Sequence, residues 1–310
     1  MTVTASKTTT EQLLRKYAFP ITLLVVFTLV GLVVALLRSK FIYLFLFISL
    51  GSASAIGEWV TLQFPKYKQI FRRTIQAAVG GGLFIGLSLF HNVNFQFSEL
   101  FFDLYAGVIT GAFIQFAFAR LFLPFIMGNA FCSRACWSGA VFELVQPLNP
   151  KVKTPRYRNE WIAFTYISTL IIISSVASYY YNPAIFETSK RWWILGENLL
   201  ILGIGVFLSC YWGRRTYCRT FCPFISVSGL FSRFSIFKIT PIDAQSCNSC
   251  GKCNRHCPML VDVRAAVEQN QRISHKSCIL CEHCVDACPY HCIELAPKFP
   301  WQKNGNTANQ

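Results

Sequence analysis

The chain has 310 residues, 53% of them hydrophobic, 15% aromatic and only 14% charged, where soluble proteins carry roughly 25% charged residues. A mean hydropathy of +0.41, averaged over a polar C-terminal quarter as well, excludes a soluble single-domain enzyme. The net charge of +15 does not indicate a nucleic-acid binder, because the basic residues sit between apolar runs and form no stripe. Twelve of the fourteen cysteines fall in tight, regularly spaced groups, which points to metal chemistry more than to a disulfide scaffold.

Residues 1–19 read as a polar N-terminal tail without a signal-peptide cleavage site. Six apolar runs follow at 20–37, 41–64, 74–90, 104–127, 160–181 and 193–212, each near the ~17–25 residues that cross a bilayer. Pro20 has helix-start character for the first. Gly82 with Gly86, and Gly107 with Gly111, form small-xxx-small pairs that predict close helix packing. Lys and Arg number twelve on one set of connections, including Lys7, Arg72, Arg134, Lys151 and Arg158, and four on the other. By the positive-inside rule both termini are cytoplasmic. The basic balance is therefore mostly a topology signal, with some affinity for anionic headgroups.

The polar quarter holds a repeated code. Cys247, Cys250, Cys253, Cys257 and Pro258 read C-x2-C-x2-C-x3-C-P, and Cys278, Cys281, Cys284, Cys288 and Pro289 read the same. In this spacing three cysteines wrap one cubane and the fourth reaches across to the other. Cys247, Cys250, Cys253 and Cys288 are then the ligands of one [4Fe–4S] cluster, and Cys278, Cys281, Cys284 and Cys257 those of a second. Structural zinc sites use paired C-x2-C units without the triple step. A segment this small, 241–297, needs such a metal staple to fold. Residues 262–270 predict a short helix between the motifs. Cys292 has no place in the ligand count and reads as a packed thiol, as does Cys210 in the last run.

Four further cysteines form a second code. FCSRACW places Cys132 and Cys136, and YCRTFCP places Cys218 and Cys222, each C-x3-C just after the cytoplasmic end of a run. The pattern reads as a duplicated unit, a transmembrane hairpin ending in C-x3-C. Two facing pairs make a four-cysteine site, with a third iron–sulfur cluster ahead of copper, and with buried thiols or disulfides as the plain alternatives. Neighbouring Arg134, Arg214, Arg215 and Arg219 predict lowered thiol pKa values.

The stretch from GRRTYCRTFCPFISVSGLFSRFS through CNSCGKCNRHCPM to CILCEHCVDACP resembles the membrane-bound polyferredoxins with paired C-x3-C-P motifs. That family includes the quinol-oxidising membrane subunit of periplasmic nitrate reductase systems, the regulatory flavoprotein of nitrous oxide reduction and the accessory protein of cbb3-type oxidase assembly. The resemblance covers about 104–297 and implies membrane electron transfer. Trp137 departs from it, standing where the family has proline.

The six runs contain no interior histidine, so no membrane haem is expected. No G-x-G-x-x-G pattern with a following acid marks a nicotinamide or flavin site. Electrons then come from a quinone or a partner protein. Intramembrane acids are functional candidates: Glu58 is the candidate quinone-site acid, with an ion pair to Arg120 as the structural alternative, and Glu197 lies near the outer end of the sixth run. Glu143 reads as a solvated or interfacial acid.

The fold class expected is an all-α membrane domain (20–240), with six transmembrane helices and a duplicated hairpin plus C-x3-C unit. A small α+β bacterial-type 2[4Fe–4S] ferredoxin domain (241–297) and a polar tail (298–310) follow. The protein is expected in a bacterial inner membrane with the ferredoxin domain cytoplasmic. It relays electrons between a quinone pool or soluble carrier and a partner oxidoreductase complex. The alternative is a copper-binding or copper-reducing assembly factor, which the three methionines (Met1, Met127, Met259) do not favour.

Overall fold

A computed structural model describes residues 2–90, 92–107, 111–145, 160–180, 183–213 and 215–297. His91, Arg214, the basic segment carrying Lys151, Lys153, Arg156 and Arg158, and the C-terminal tail lie outside them. The first apolar run lies in α1 (Thr2–Arg38), which is continuous through Pro20. Pro20 therefore sits inside the helix and does not open it. Proline is tolerated there because membrane helices re-satisfy the freed carbonyls locally.

Helix α2 (Ile42–Gln63) folds back on α1. The approach is close: a Cβ on Gly31 would stand 2.7 Å from the Phe47 Cβ, and one on Gly51 would stand 2.7 Å from the Phe27 Cβ. The small residues that bring helices together are these. At Gly82, Gly86 and Gly107 a Cβ would meet nothing within 4 Å, so the spacing alone misassigned the packing faces.

Helix α3 (Lys68–Leu83) starts among charged residues and continues as a π-helix to Leu89. Segment 92–96 then turns inward, and Asn94 is buried. Helix α4 (Phe97–Ala106) stops at Gly107, whose φ of +66° is the left-handed conformation glycine accepts without strain. Helix α5 (Gly111–Phe116), a π-helical turn and α6 (Leu123–Met127) complete the fourth run, which is thus broken. Glu99 and Asp103, placed by the sequence in an outer connection, are buried in α4.

Two short helices, α7 (Ala130–Arg134) and α8 (Trp137–Val145), carry the first C-x3-C. Helices α9 (Glu160–Tyr180) and α10 (Pro183–Trp212) are the fifth and sixth runs. Helices α11 (Thr216–Thr220) and α12 (Pro223–Ser232) carry the second C-x3-C. Among the described residues, three helical stretches are long and apolar enough to cross a membrane: Tyr17–Leu36, Ile42–Gln63 and Arg191–Trp212. Leu29, Val33, Phe45, Leu199 and Phe207 on these stretches are exposed, as lipid-facing side chains are.

The C-terminal unit begins with β1 (Phe237–Pro241), ahead of the expected boundary at 241. Short helices α13 (Lys252–His256), α14 (Val263–Glu268) and α15 (His283–Asp286) lie between it and β2 (Ile293–Pro297). The strands pair antiparallel, Ile239 opposite Leu295. The expected helix between the motifs is α14, capped by Asp262, whose side chain accepts from the Ala265 N–H at 3.1 Å. Ile239, Val263, Val267, Ile279 and Ile293 form its small apolar core.

Gly51→Val drives two methyls into Phe27, and overpacking of this kind costs about 1–3 kcal/mol. A thermal midpoint several degrees below wild type in detergent is the expected outcome, read by intrinsic fluorescence.

Candidate metal centres

The two C-x3-C motifs share a local geometry. In the first, the Phe131 carbonyl accepts from the N–H groups of Ala135 (2.9 Å) and Cys136 (3.0 Å); in the second, the Tyr217 carbonyl accepts from Phe221 (2.9 Å) and Cys222 (3.1 Å). Each first cysteine lies on a one-turn helix, and each second cysteine precedes the next helix. Pro223 opens α12, a position where a missing N–H costs nothing. Trp137 opens α8 in the same place and stacks on Phe84 with centroids 4.3 Å apart. Gly80 of α3 makes room for this turn, since a Cβ there would stand 2.7 Å from both the Ala135 O and the Trp137 N.

Three cavities gather the cysteines. One of about 80 Å³ is lined by Cys132, Cys136, Cys218 and Cys222, bringing the two motifs together. A second, of about 20 Å³, is lined by Cys247, Cys250, Cys253 and Cys288, with Cys292 beside them. A third, also of about 20 Å³, is lined by Cys257, Cys278, Cys281 and Cys284. Cys257 and Cys288 thus each face the cavity of the other motif. Cys292 is buried with its Sγ 3.3 Å from that of Cys288. Cys210 is exposed and approaches the Val145 carbonyl at 3.7 Å.

Among the described residues no three Cys, His, Asp or Glu side chains converge on a single ion. Thiolates about 2.3 Å from one zinc would lie about 3.8 Å apart. A cubane separates its four ligands, because each binds a different iron. Spread thiols around an open cavity fit that group in all three places.

Burial pushes the Cys132 thiol up to about 11, with Arg120 pulling the other way, and pushes Cys278 up to about 12. Cys218 is also raised by burial, against Arg215. The expected lowering by arginines is therefore outweighed by desolvation, and only a bound cation brings such thiols to thiolate. Arg120 Nη1 stands 3.5 Å from the Cys132 Sγ, and the guanidinium is held between the rings of Phe131 and Phe224 at 4.4 and 4.3 Å. Arg215 Nη1 donates to the Cys132 carbonyl at 2.8 Å. These charges would offset an anionic thiolate-ligated centre. Arg134 donates to Glu58, Glu282 and the Leu280 carbonyl. Arg219 is buried in α11.

The first motif is docked on the C-terminal unit. Ser133 Oγ donates to the Ile279 carbonyl at 2.7 Å, Arg134 Nη1 to the Leu280 carbonyl at 2.6 Å, and Asn129 Nδ2 to the Lys276 carbonyl at 2.8 Å. Three carboxylates hold the surrounding guanidinium groups. Glu58 pairs with Arg134, not with Arg120, and the Arg134 Nη2 also reaches Glu282 at 2.6 Å. Lys68 closes this group on Glu282 at 2.5 Å. Glu143 is buried and receives Arg72, Arg215, Arg73 (3.0 Å) and His283 (3.1 Å). It is no solvated acid. Burial alone would raise its carboxyl; Arg215, the hydrogen bond from His283 and Arg72 hold it well below the usual carboxylate range. Gln76, which donates to the Cys132 and Cys136 carbonyls at 3.1 and 3.0 Å, was missed in sequence. Its signal was a polar residue in an otherwise apolar run.

A helical part with membrane-length stretches and paired thiols, joined to a small unit with eight regularly spaced cysteines, defines a membrane iron–sulfur protein. Comparisons with known proteins agree. The 4Fe-4S dicluster domain family matches residues 239–289, and the 4Fe-4S binding domain family matches twice, at 109–155 and 195–240. An uncharacterized protein of Methanocaldococcus jannaschii is 30% identical over 174 residues, covering 54% of this chain and 63% of that protein. A second from the same organism is 26% identical over 194 residues, covering 57% and 76%. Regulatory protein NosR of Stutzerimonas stutzeri is 25% identical over 175 residues, covering 50% of this chain and 23% of NosR. The chain spans less than two thirds of the first of these relatives. No solved structure matches it. These matches support a membrane-associated protein similar to 4Fe–4S ferredoxins. Its 4Fe–4S domains support at least two iron–sulfur clusters and an electron-transfer function.

Breaking a buried ion pair from one side costs about 3–5 kcal/mol. Glu143→Gln is expected to lose about that much, seen as a lower thermal midpoint and earlier proteolysis between the two parts. Glu268→Gln, whose side chain is 41% exposed, is expected to change little.

Proposed function

We propose that the protein relays electrons between a quinone pool or soluble carrier and a partner oxidoreductase complex through three [4Fe–4S] clusters. The observation that carries this reading is the single cavity lined by Cys132, Cys136, Cys218 and Cys222, next to the Cys278–Cys284 loop. Cys132, Cys136, Cys218 and Cys222 hold one cluster; Cys278, Cys281, Cys284 and Cys257 hold the next; Cys247, Cys250, Cys253 and Cys288 hold the last. The clusters supply one-electron carriers. The chain's residues hold them in that order and surround the first with arginines. Cys250 is exposed, so the partner exchanges electrons at the last cluster.

The remaining architecture is proposed with it: six spans at 20–37, 41–64, 74–90, 104–127, 160–181 and 193–212, and a duplicated hairpin plus C-x3-C unit. The repeated family match at 109–155 and 195–240 and the shared motif geometry support the duplication. The domains are taken as a tail at 1–19, a membrane domain at 20–240, a ferredoxin domain at 241–297 and a tail at 298–310, with β1 belonging to the ferredoxin side. Both termini and the ferredoxin domain face the cytoplasm of a bacterial inner membrane, on the twelve-to-four split of Lys and Arg. Glu58 holds Arg134 and is not assigned a proton. The copper-assembly reading is weaker, because the thiols do not converge on one ion.

Purified protein is expected to hold about twelve iron atoms, four per cubane. Cys136→Ser and Cys222→Ser should each remove the same paramagnetic signal and leave about eight. Unrelated losses, or eight irons plus copper in the wild type, would sink the three-cluster reading. For orientation, a reporter fused after Gln310 should be active in the cytoplasm and one at exposed Lys40 in the periplasm.

A further inference from the structure

The cavity at the four C-x3-C thiols is about 80 Å³, four times the volume of either ferredoxin cavity at about 20 Å³. Each of the three is lined by one set of four cysteines, so the first has space beyond what such a set encloses. Its far side is formed by α9 and α10, where Tyr166, Leu170, Glu197 and Ile201 line it, and Gln96 and Phe97 close it. Glu197 lies within the Arg191–Trp212 stretch that is long and apolar enough to cross a membrane.

A half-buried acid in such a stretch is costly to keep without use. This one is held in place: Ser98 Oγ donates to its two oxygens at 2.8 and 2.7 Å, and Asn94 Nδ2 donates at 2.9 Å. Beside it Gln96 Nε2 donates to Asn198 Oδ1 at 2.6 Å, and Asn198 Nδ2 donates to Asn94 Oδ1 at 3.4 Å. Segment 92–96 supplies Asn94, and the first turn of α4 supplies Ser98. The result is a positioned carboxylate, aromatic and aliphatic walls, and a set of four thiols, all on one cavity between membrane helices. A ligand there must dissolve in lipid and exchange protons with a carboxylate and electrons with a metal centre. Quinones have that chemistry.

We propose that a quinone headgroup binds in this cavity between the four thiols and Glu197, with the Glu197 carboxylate as its proton acceptor. The site rests on the reading of the four thiols as a redox metal centre. Oxidising one quinol breaks two O–H bonds and releases two electrons and two protons. The electrons leave singly to the iron–sulfur centre held by the thiols and onward to the ferredoxin clusters. Glu197 takes the first proton and, once it has passed that proton to bulk water, the second. The reverse transfers reduce quinone.

The test is binding of 2-heptyl-4-hydroxyquinoline N-oxide, a fluorescent quinone-site inhibitor, to the full chain in detergent, with iron measured on the same samples. Saturable quenching at one site per chain is expected. Glu197→Gln, and Leu170→Trp, which fills the cavity, should each weaken it at least tenfold with iron unchanged, while Glu268→Gln binds as wild type. Absence of saturable quenching, or wild-type affinity in both cavity variants, overturns the site and leaves the electron-relay reading standing. Iron near eight atoms in the wild type overturns the metal centre on which the site rests, whatever the inhibitor does.

Discussion

The junction between the helical part and the ferredoxin unit depends on compensating buried guanidinium charge. Arg72, Arg134 and Arg215 are 2%, 7% and 1% exposed. Each would cost several kcal/mol if left unpaired. Glu143 neutralises Arg72 and Arg215, while Glu58 and Glu282 share Arg134. Every one of these pairs joins segments far apart in sequence. The pairs of Arg134 and Lys68 with Glu282, and of Glu143 with His283, cross to the loop after Cys281, so the ion network ties the two parts together.

That network also reaches the backbone around the cysteines. The arginines that answer Glu58 and Glu143 also donate to the Leu280, Ser133 and Cys132 carbonyls. Backbone carbonyls of and next to the cysteines are thereby pinned by arginines. The thiols remain free to point inward. Positioning a soft metal ligand through its own backbone leaves its sulfur for the metal, which is how a second shell usually holds a first.

On the other side of the C-x3-C cavity the constraint is different. Segment 92–96 and the start of α4 bury Asn94, Ser98, Glu99 and Asp103. Polar groups this deep must find partners within the protein, and Glu197 with Asn198 meets Asn94 and Ser98. A loop that composition assigns to the outer surface is drawn inward for that reason. The fourth run is broken at Gly107, where α4 ends in the left-handed conformation.

The sequence by itself determined the eight-cysteine code, the helix at 263–268, the four C-x3-C thiols and the apolar character of the chain. These are local: spacing within a loop, an Asp cap and runs of apolar residues are visible without knowing the neighbours. It misjudged Pro20, the close-packing glycines, the partner of Glu58 and the exposure of Glu143. Only tertiary structure decided those, because an ion pair or a close approach belongs to two segments at once. Glu143 reads as one acid in an amphipathic stretch until Arg72, Arg215 and His283 converge on it from three other elements. The four thiols, likewise, become a single site only where α7, α11 and the turns after them meet, and no periodicity in either motif specifies that meeting.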